Sequence, residues 1–235
     1  LARTSSAENP PDGRALVIAL VILAAGIALI ASLTDAVFDF AAQLKSSSPP
    51  VQYLDRSVHD WCVTHRSAAG NLFFTAITQL GSPVSLSIVA AIAAFVLWRR
   101  GHRVTAAFIV FATVCTWVID VLLKDHYSRA RPLLTQALVG AHGYSFPSGH
   151  ALGSSCILGI FAYLTVRGAQ RARVKVLACI AALLFVTLIC WSRVYLGVHW
   201  LTDVLAGAAL GVALLCVLIC AREALIFARR FQPRM

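Results

Sequence analysis

Charge is what this chain has least of. Only 13% of its 235 residues are charged, against 59% hydrophobic, and the mean hydropathy is +0.79. That balance excludes an ordinary soluble domain and points to a membrane as the solvent. Metal-ligand patterns are missing as well: there is no DxD, HxH or HExxH constellation and no CxxC pair, so neither a zinc ribbon nor a disulfide framework is indicated. Of the seven cysteines, all but Cys62 lie inside apolar runs and read as buried free thiols. Neither a metal nor a cofactor is implied.

The apolar residues that are present fall into long runs. Residues 15–33, 71–98, 104–123, 151–166, 176–189 and 201–221 each approach or exceed the roughly 20 residues that cross a hydrocarbon core. In lipid such runs must be helices, because a helix satisfies its own backbone hydrogen bonds. The expected fold is therefore all-α, a polytopic membrane protein with six transmembrane helices. Gly81-Ser82-Pro83 interrupts the second span and predicts a kink or a partial turn. Residues 1–14 form a polar tail, 15–221 one membrane domain and 222–235 a basic tail. Between the first two spans, Val51, Leu54, Val58, Trp61 and Cys62 recur at helical spacing, which predicts an amphipathic helix lying at the interface or packed on the bundle.

Twenty Lys and Arg oppose ten Asp and Glu, an excess that in a soluble protein suggests nucleic acid. Here its distribution gives another answer. Arg3 and Arg14, Arg99 to Arg103, Arg167 to Lys175, and Arg222 to Arg234 all fall on one side of a six-span layout. By the positive-inside rule that side is cytoplasmic, with both termini. The excess is topology, and no nucleic-acid partner is expected.

Three polar clusters remain on the outward side, at the ends of spans three to six: Lys124 with Arg131-Pro132, Pro147-Ser148-Gly149-His150, and Ser192-Arg193 with His199 and Asp203. Ionisable groups at span ends are expensive unless they meet water or one another, so one shared pocket is the economical reading. Lys124, Arg131 and Arg193 suit a multiply charged anion. Ser148 and the Gly149 amide stand where a helix N-terminus offers unpaired N–H groups. His199 and Asp203, four apart, share a helix face, so the carboxylate orients the imidazole and leaves its other nitrogen free to attack phosphorus. His150 is placed to protonate a leaving group. Taken singly, Asp203 reads as a cap, Pro147 and Gly149 as a turn and the arginines as snorkelling side chains; those roles are compatible with catalysis. Arg129 has no role required by this chemistry.

The three clusters, KxxxxxxRP, PSGH and SRxxxxxHxxxD, resemble the signature of the type 2 phosphatidic acid phosphatase superfamily, with each signature position filled between Lys124 and Asp203. The resemblance implies that His199 is a nucleophile forming a phosphohistidine, that Asp203 is its partner and that His150 is the acid and then the base. It implies that Lys124, Arg131, Ser148, Gly149 and Arg193 bind the phosphoryl group, without a metal or a cofactor. The substrate would be a lipid phosphate or pyrophosphate, of the undecaprenyl pyrophosphate, phosphatidylglycerol phosphate or phosphatidic acid type. The protein would sit in a bacterial inner membrane with the site facing outside. A phosphotransferase of the same superfamily and a non-catalytic lipid-phosphate binder or flippase are the alternatives; soluble haloperoxidase chemistry is disfavoured by the spans.

Overall fold

The computed structural model describes residues 49–230; the expected tail 1–14 and first span 15–33 lie outside them. Seven α-helices and no strand occur among the described residues: α1 Pro49–Thr64, α2 Ala68–Leu80, α3 Pro83–Arg99, α4 Arg103–Tyr127, α5 Gly149–Gly168, α6 Ala172–Tyr195 and α7 Leu201–Arg230, with a 3-10 turn at Leu134–Gln136. Helices α4 to α7 are each long and apolar enough to cross a membrane. The chain is a multi-pass integral membrane protein.

The expected second span is two helices, α2 and α3, bent by 45°. Local chemistry explains the break. Gly81 ends α2, and Ser82 starts α3 by accepting the Ser85 N–H on its hydroxyl at 3.1 Å, with Pro83 in the first turn where its missing N–H costs nothing. The described residues thus hold four spans, or five if the bent pair counts as one. The last helix runs to Arg230, nine residues past the expected 221, because the basic run after Ala221 carries no helix breaker.

Helix α5 is the hub, packed against α4, α6 and α7. Lipid tails are as apolar as leucine, so close backbone approach rather than a hydrophobic gradient holds such helices together. Glycines on α7 provide it: a Cβ on Gly207 would stand 2.6 Å from the Ser148 carbonyl oxygen, and one on Gly211 would stand 2.5 Å from that of Leu152. Below this contact Leu86 and Ala90 of α3, Ile109 and Ala112 of α4, and Cys156 and Ile160 of α5 form the main apolar core. Residues such as Phe95, Phe111 and Leu183 point outward, which suits side chains facing acyl chains.

Helix α1 forms where an amphipathic helix at the interface or against the bundle was expected, and its buried stripe is largely polar. Asp55, His59 and Cys62 are buried, whereas Leu54 and Trp61 are exposed. A polar inward face requires partners in the bundle, and α1 packs against α6 and α7.

Candidate active site

The adjoining ends of α4, α5, α6 and α7 bring the three sequence clusters together. Helix α4 stops at Ser128, which takes a left-handed conformation (φ 47°, ψ 33°) and donates its N–H to the Lys124 carbonyl at 2.9 Å. That turn sends the chain back over the bundle, so Arg129 and Arg131 reach the N-terminus of α7. Ser148 precedes α5 and donates its N–H to the Asp203 carbonyl oxygen at 3.0 Å, tying the second cluster to the third.

His199 is 2% exposed and Asp203 0%. Nδ1 of His199 lies 3.6 Å from Oδ2 of Asp203, an ion-pair distance and not the hydrogen bond that helical spacing predicts. The reason is local: α7 begins at Leu201, so His199 precedes the first turn and is out of helical phase with Asp203. The same carboxylate oxygen caps the helix by accepting the Trp200 N–H at 2.9 Å. Asp203 therefore combines the cap and the histidine partner.

On the opposite edge of the ring, Nε2 of His199 meets Nη1 of Arg131 at 3.2 Å. A guanidinium only donates, so Nε2 is the acceptor and the ring is the neutral Nδ1–H tautomer. Burial holds His199 well below its ordinary value of 6.5, and the cations Arg193, Arg131 and Lys124 push the same way. The remaining donors of Arg131 bind protein carbonyls: Val198 at 2.7 Å, and His142 and Gly143 at 2.9 Å each. Burial also lowers Arg131, with Asp203 and Asp120 opposing the shift.

Arg193 is buried and donates to the Thr78 hydroxyl of α2 at 2.8 Å. Lys124 donates to Asp120 at 2.5 Å, and the carboxylate of Asp120 covers Gly149 so closely that a Cβ there would stand 2.8 Å from both oxygens. His150, half-buried, begins α5 beside it. Several buried polar atoms of this site have no hydrogen-bond partner: Ser148 Oγ, Arg193 Nε, His199 Nδ1 and Asp120 Oδ1. Of these, the Ser148 hydroxyl and the Arg193 Nε–H are donors that a tetrahedral oxyanion beside three cations and a helix N-terminus would satisfy, whereas Asp120 Oδ1 is an acceptor and His199 Nδ1 faces Asp203.

The PAP2 superfamily profile matches residues 103–227, which contain every one of these groups except Thr78. The chain belongs to the PAP2 superfamily. Phosphatidylglycerophosphatase B of Bacillus subtilis (strain 168) is 34% identical over 167 residues, covering 70% of this chain and 81% of that protein. Lipid A 1-phosphatase of Rhizobium johnstonii is also 34% identical, over 52% of this chain and 50% of that one. The crystal structure of a transmembrane PAP2 type phosphatidylglycerolphosphate phosphatase from Bacillus subtilis superimposes with a TM-score of 0.75 at 28% identity, covering 86% of this chain and 98% of that one. These relatives are lipid phosphatases, and this PAP2 protein lies in the membrane lipid phosphatase branch.

Sequence reasoning missed three charged groups of this PAP2 site. Arg129 donates to Asp203 Oδ1 and, at 2.7 Å, to Asp55 Oδ2. Asp55 comes from α1, where it looks like an ordinary polar residue of an amphipathic helix. Asp120 had a usable signal, since an acid inside an apolar span four residues before Lys124 is costly without a purpose.

An open groove of ≈ 500 Å³ runs along the lipid-facing wall between α3 and α4, lined by Pro83, Val84, Ser87, Ile88, Ala91 and Trp117. Trp117 is held there by its indole N–H bond to the Ser87 hydroxyl at 3.0 Å, about one turn of α4 from Asp120.

Proposed function

We propose that the protein is a metal-independent phosphatase of lipid phosphates, acting through a phosphohistidine on His199. The observation that carries this reading is the neutral, buried His199 whose Nε2 lone pair faces the guanidinium of Arg131. A histidine that keeps its lone pair beside three cations is a nucleophile already placed where an anionic phosphoryl group is attracted. Lys124, Arg131, Arg193, the Ser148 hydroxyl and the amide at Gly149 hold the phosphoryl oxygens and stabilise the charge of the transition state.

In the first step Nε2 attacks phosphorus, an N–P bond forms and the P–O bond to the lipid breaks. His150 gives its proton to the departing oxygen, and Asp203 supports the charge arriving on the imidazole. In the second step His150 takes a proton from water, whose oxygen displaces His199 and releases inorganic phosphate. The cationic donor set performs the electrophilic role that a metal fills in other phosphatases.

Likeness to the Bacillus phosphatidylglycerophosphatase favours phosphatidylglycerol phosphate as substrate, and the groove beside Trp117 offers an apolar wall for its chains. Likeness to the Bacillus relative favours a bacterial inner-membrane location, and the distribution of basic residues favours a site facing outside. The test is phosphate release from phosphatidylglycerol phosphate by detergent-purified protein in EDTA, with rapid quenching of labelled substrate. Wild type should turn over and give an acid-labile, alkali-stable phosphoprotein that His199→Ala lacks. Turnover retained in His199→Ala would overturn the mechanism; activity abolished by EDTA and restored by a divalent cation would overturn the metal-free reading.

A further inference from the structure

Asp203, which the foregoing mechanism uses, is itself part of a trio that begins on α1, two buried carboxylates around the half-buried Arg129. Asp55 is 2% exposed. Its Oδ1 accepts the Thr202 N–H at 3.0 Å, and its Oδ2 accepts the Thr202 hydroxyl at 2.6 Å and Arg129 Nη2 at 2.7 Å. The other nitrogen of that guanidinium donates to Thr202 Oγ1 at 2.9 Å and to Asp203 Oδ1. One cation is thus shared by two carboxylates, and the second carboxylate lies next to the imidazole of His199.

We infer that Asp55 is a positioning residue for the nucleophile: by sharing Arg129 it fixes Asp203 and keeps a net negative charge behind His199. The physical need follows from what surrounds the ring. Lys124 faces it from α4, Arg131 from the following loop, His150 from α5 and Arg193 from α6, while Asp203 of α7 is the carboxylate at its back. Had Arg129 only Asp203 to pair with, that pair would be neutral and the only negative charge left among these groups would be Asp120, which is paired with Lys124. With Asp55 present the trio carries one net negative charge, which lowers the cost of the positive charge that develops on His199 during attack. Anchoring alone would be met by a neutral acceptor, since the Thr202 N–H and hydroxyl need no carboxylate. His59, one turn further along α1, bonds Gln136 at 3.0 Å and packs against the Trp200 ring, so α1 is also fastened independently of Asp55.

This inference rests on His199 being the nucleophile. Asp55→Asn keeps the shape and the acceptor for the Thr202 N–H while removing the charge and the second oxygen that accepts from the Thr202 hydroxyl and Arg129. In protein that turns over phosphatidylglycerol phosphate, it should lower kcat about 10- to 100-fold with KM changed less than about 2-fold. It should also move the acid limb of kcat/KM to lower pH, because a more cationic surrounding makes His199 harder to protonate. Asp55→Glu, which retains the charge, should restore the limb. An unmoved limb in Asp55→Asn overturns the inference, whether kcat is normal or is lost together with thermal stability in detergent. If Asp55→Asn does not fold, Arg129→Gln provides the opposite arm: removal of the cation should move the acid limb to higher pH, and an unmoved limb again overturns the inference. Failure of wild type to release phosphate, or retained turnover in His199→Ala, would count against the phosphohistidine reading itself and is read separately.

Discussion

Nη1 of Arg131 stands 3.2 Å from Nε2 of His199, while Nδ1 of the same ring faces Oδ2 of Asp203 at 3.6 Å. The first contact fixes the tautomer, because a guanidinium can only donate, and the second leaves the Nδ1–H facing a carboxylate at ion-pair distance. The ring nitrogen that points into the cationic pocket is therefore the one with the lone pair. In the proposed mechanism a phosphoryl oxygen engages Arg131, which exchanges the Arg131–His199 contact for one to the ligand and frees Nε2 to attack.

The first prediction concerns pH. Because His199 is held below its ordinary value of 6.5, kcat/KM in a detergent assay should stay flat through pH 6.5 and fall only in more acid solution. Arg131→Gln removes one of the cations responsible and should move that limb upward while lowering kcat/KM about 100-fold or more through lost phosphate binding.

Stability carries the same signature with a definite sign. Between the folded value of His199 and 6.5, the unfolded chain binds a proton that the folded protein does not, so this residue's contribution falls as pH falls. Thermal unfolding of His199→Gln in detergent should therefore show a shallower loss of Tm between pH 6.5 and pH 5 than wild type.

Gly207→Ala tests the seam between α5 and α7. Its Cβ would stand 2.6 Å from the Ser148 carbonyl oxygen, a backbone atom that cannot swing away. Forcing the helices apart should cost about 1–3 kcal/mol of stability. It should also separate Ser148 and His150 from His199, with kcat falling more than Tm alone accounts for.

Asp120→Asn should strengthen anion binding. The carboxylate occupies Lys124 at 2.5 Å and repels a phosphate lying over Gly149. Removing its charge frees the lysine, and the inhibition constant for vanadate or inorganic phosphate should fall several-fold, about 3- to 10-fold.

The groove beside Trp117 makes a chain-length prediction. Ile88→Trp narrows it without touching the charged groups. KM for a long-chain lipid phosphate should rise, while that for a short-chain, water-soluble analogue stays unchanged. Equal effects on both would remove the groove from the substrate path.

In a chain with so few charges, those that remain stand out, so Lys124, Arg131, Arg193, His199 and Asp203, with Ser148 beside a helix start, could be grouped from the sequence. All of them meet at one end of the bundle. Two things were not legible. Helical spacing placed His199 and Asp203 within hydrogen-bond reach, but spacing holds only inside a helix, and α7 starts two residues after His199. Periodicity left open whether α1 lies at the interface or packs on the bundle; Leu54 and Trp61 are exposed, and the buried Asp55 and His59 belong to no apolar period that could have revealed them.

The amino-acid sequence by itself determined the helices, the phosphate-seeking residue types and the family, because in lipid an apolar run must satisfy its own backbone and an isolated charge must have a purpose. Tertiary structure alone decided which carboxylate backs which cation. Asp55 and Arg129 are 74 residues apart, and Thr78 and Arg193 are 115 apart. No local period links such pairs; they meet only because closely packed helices bring distant residues together, where a guanidinium withdrawn from water must find acceptors within the protein.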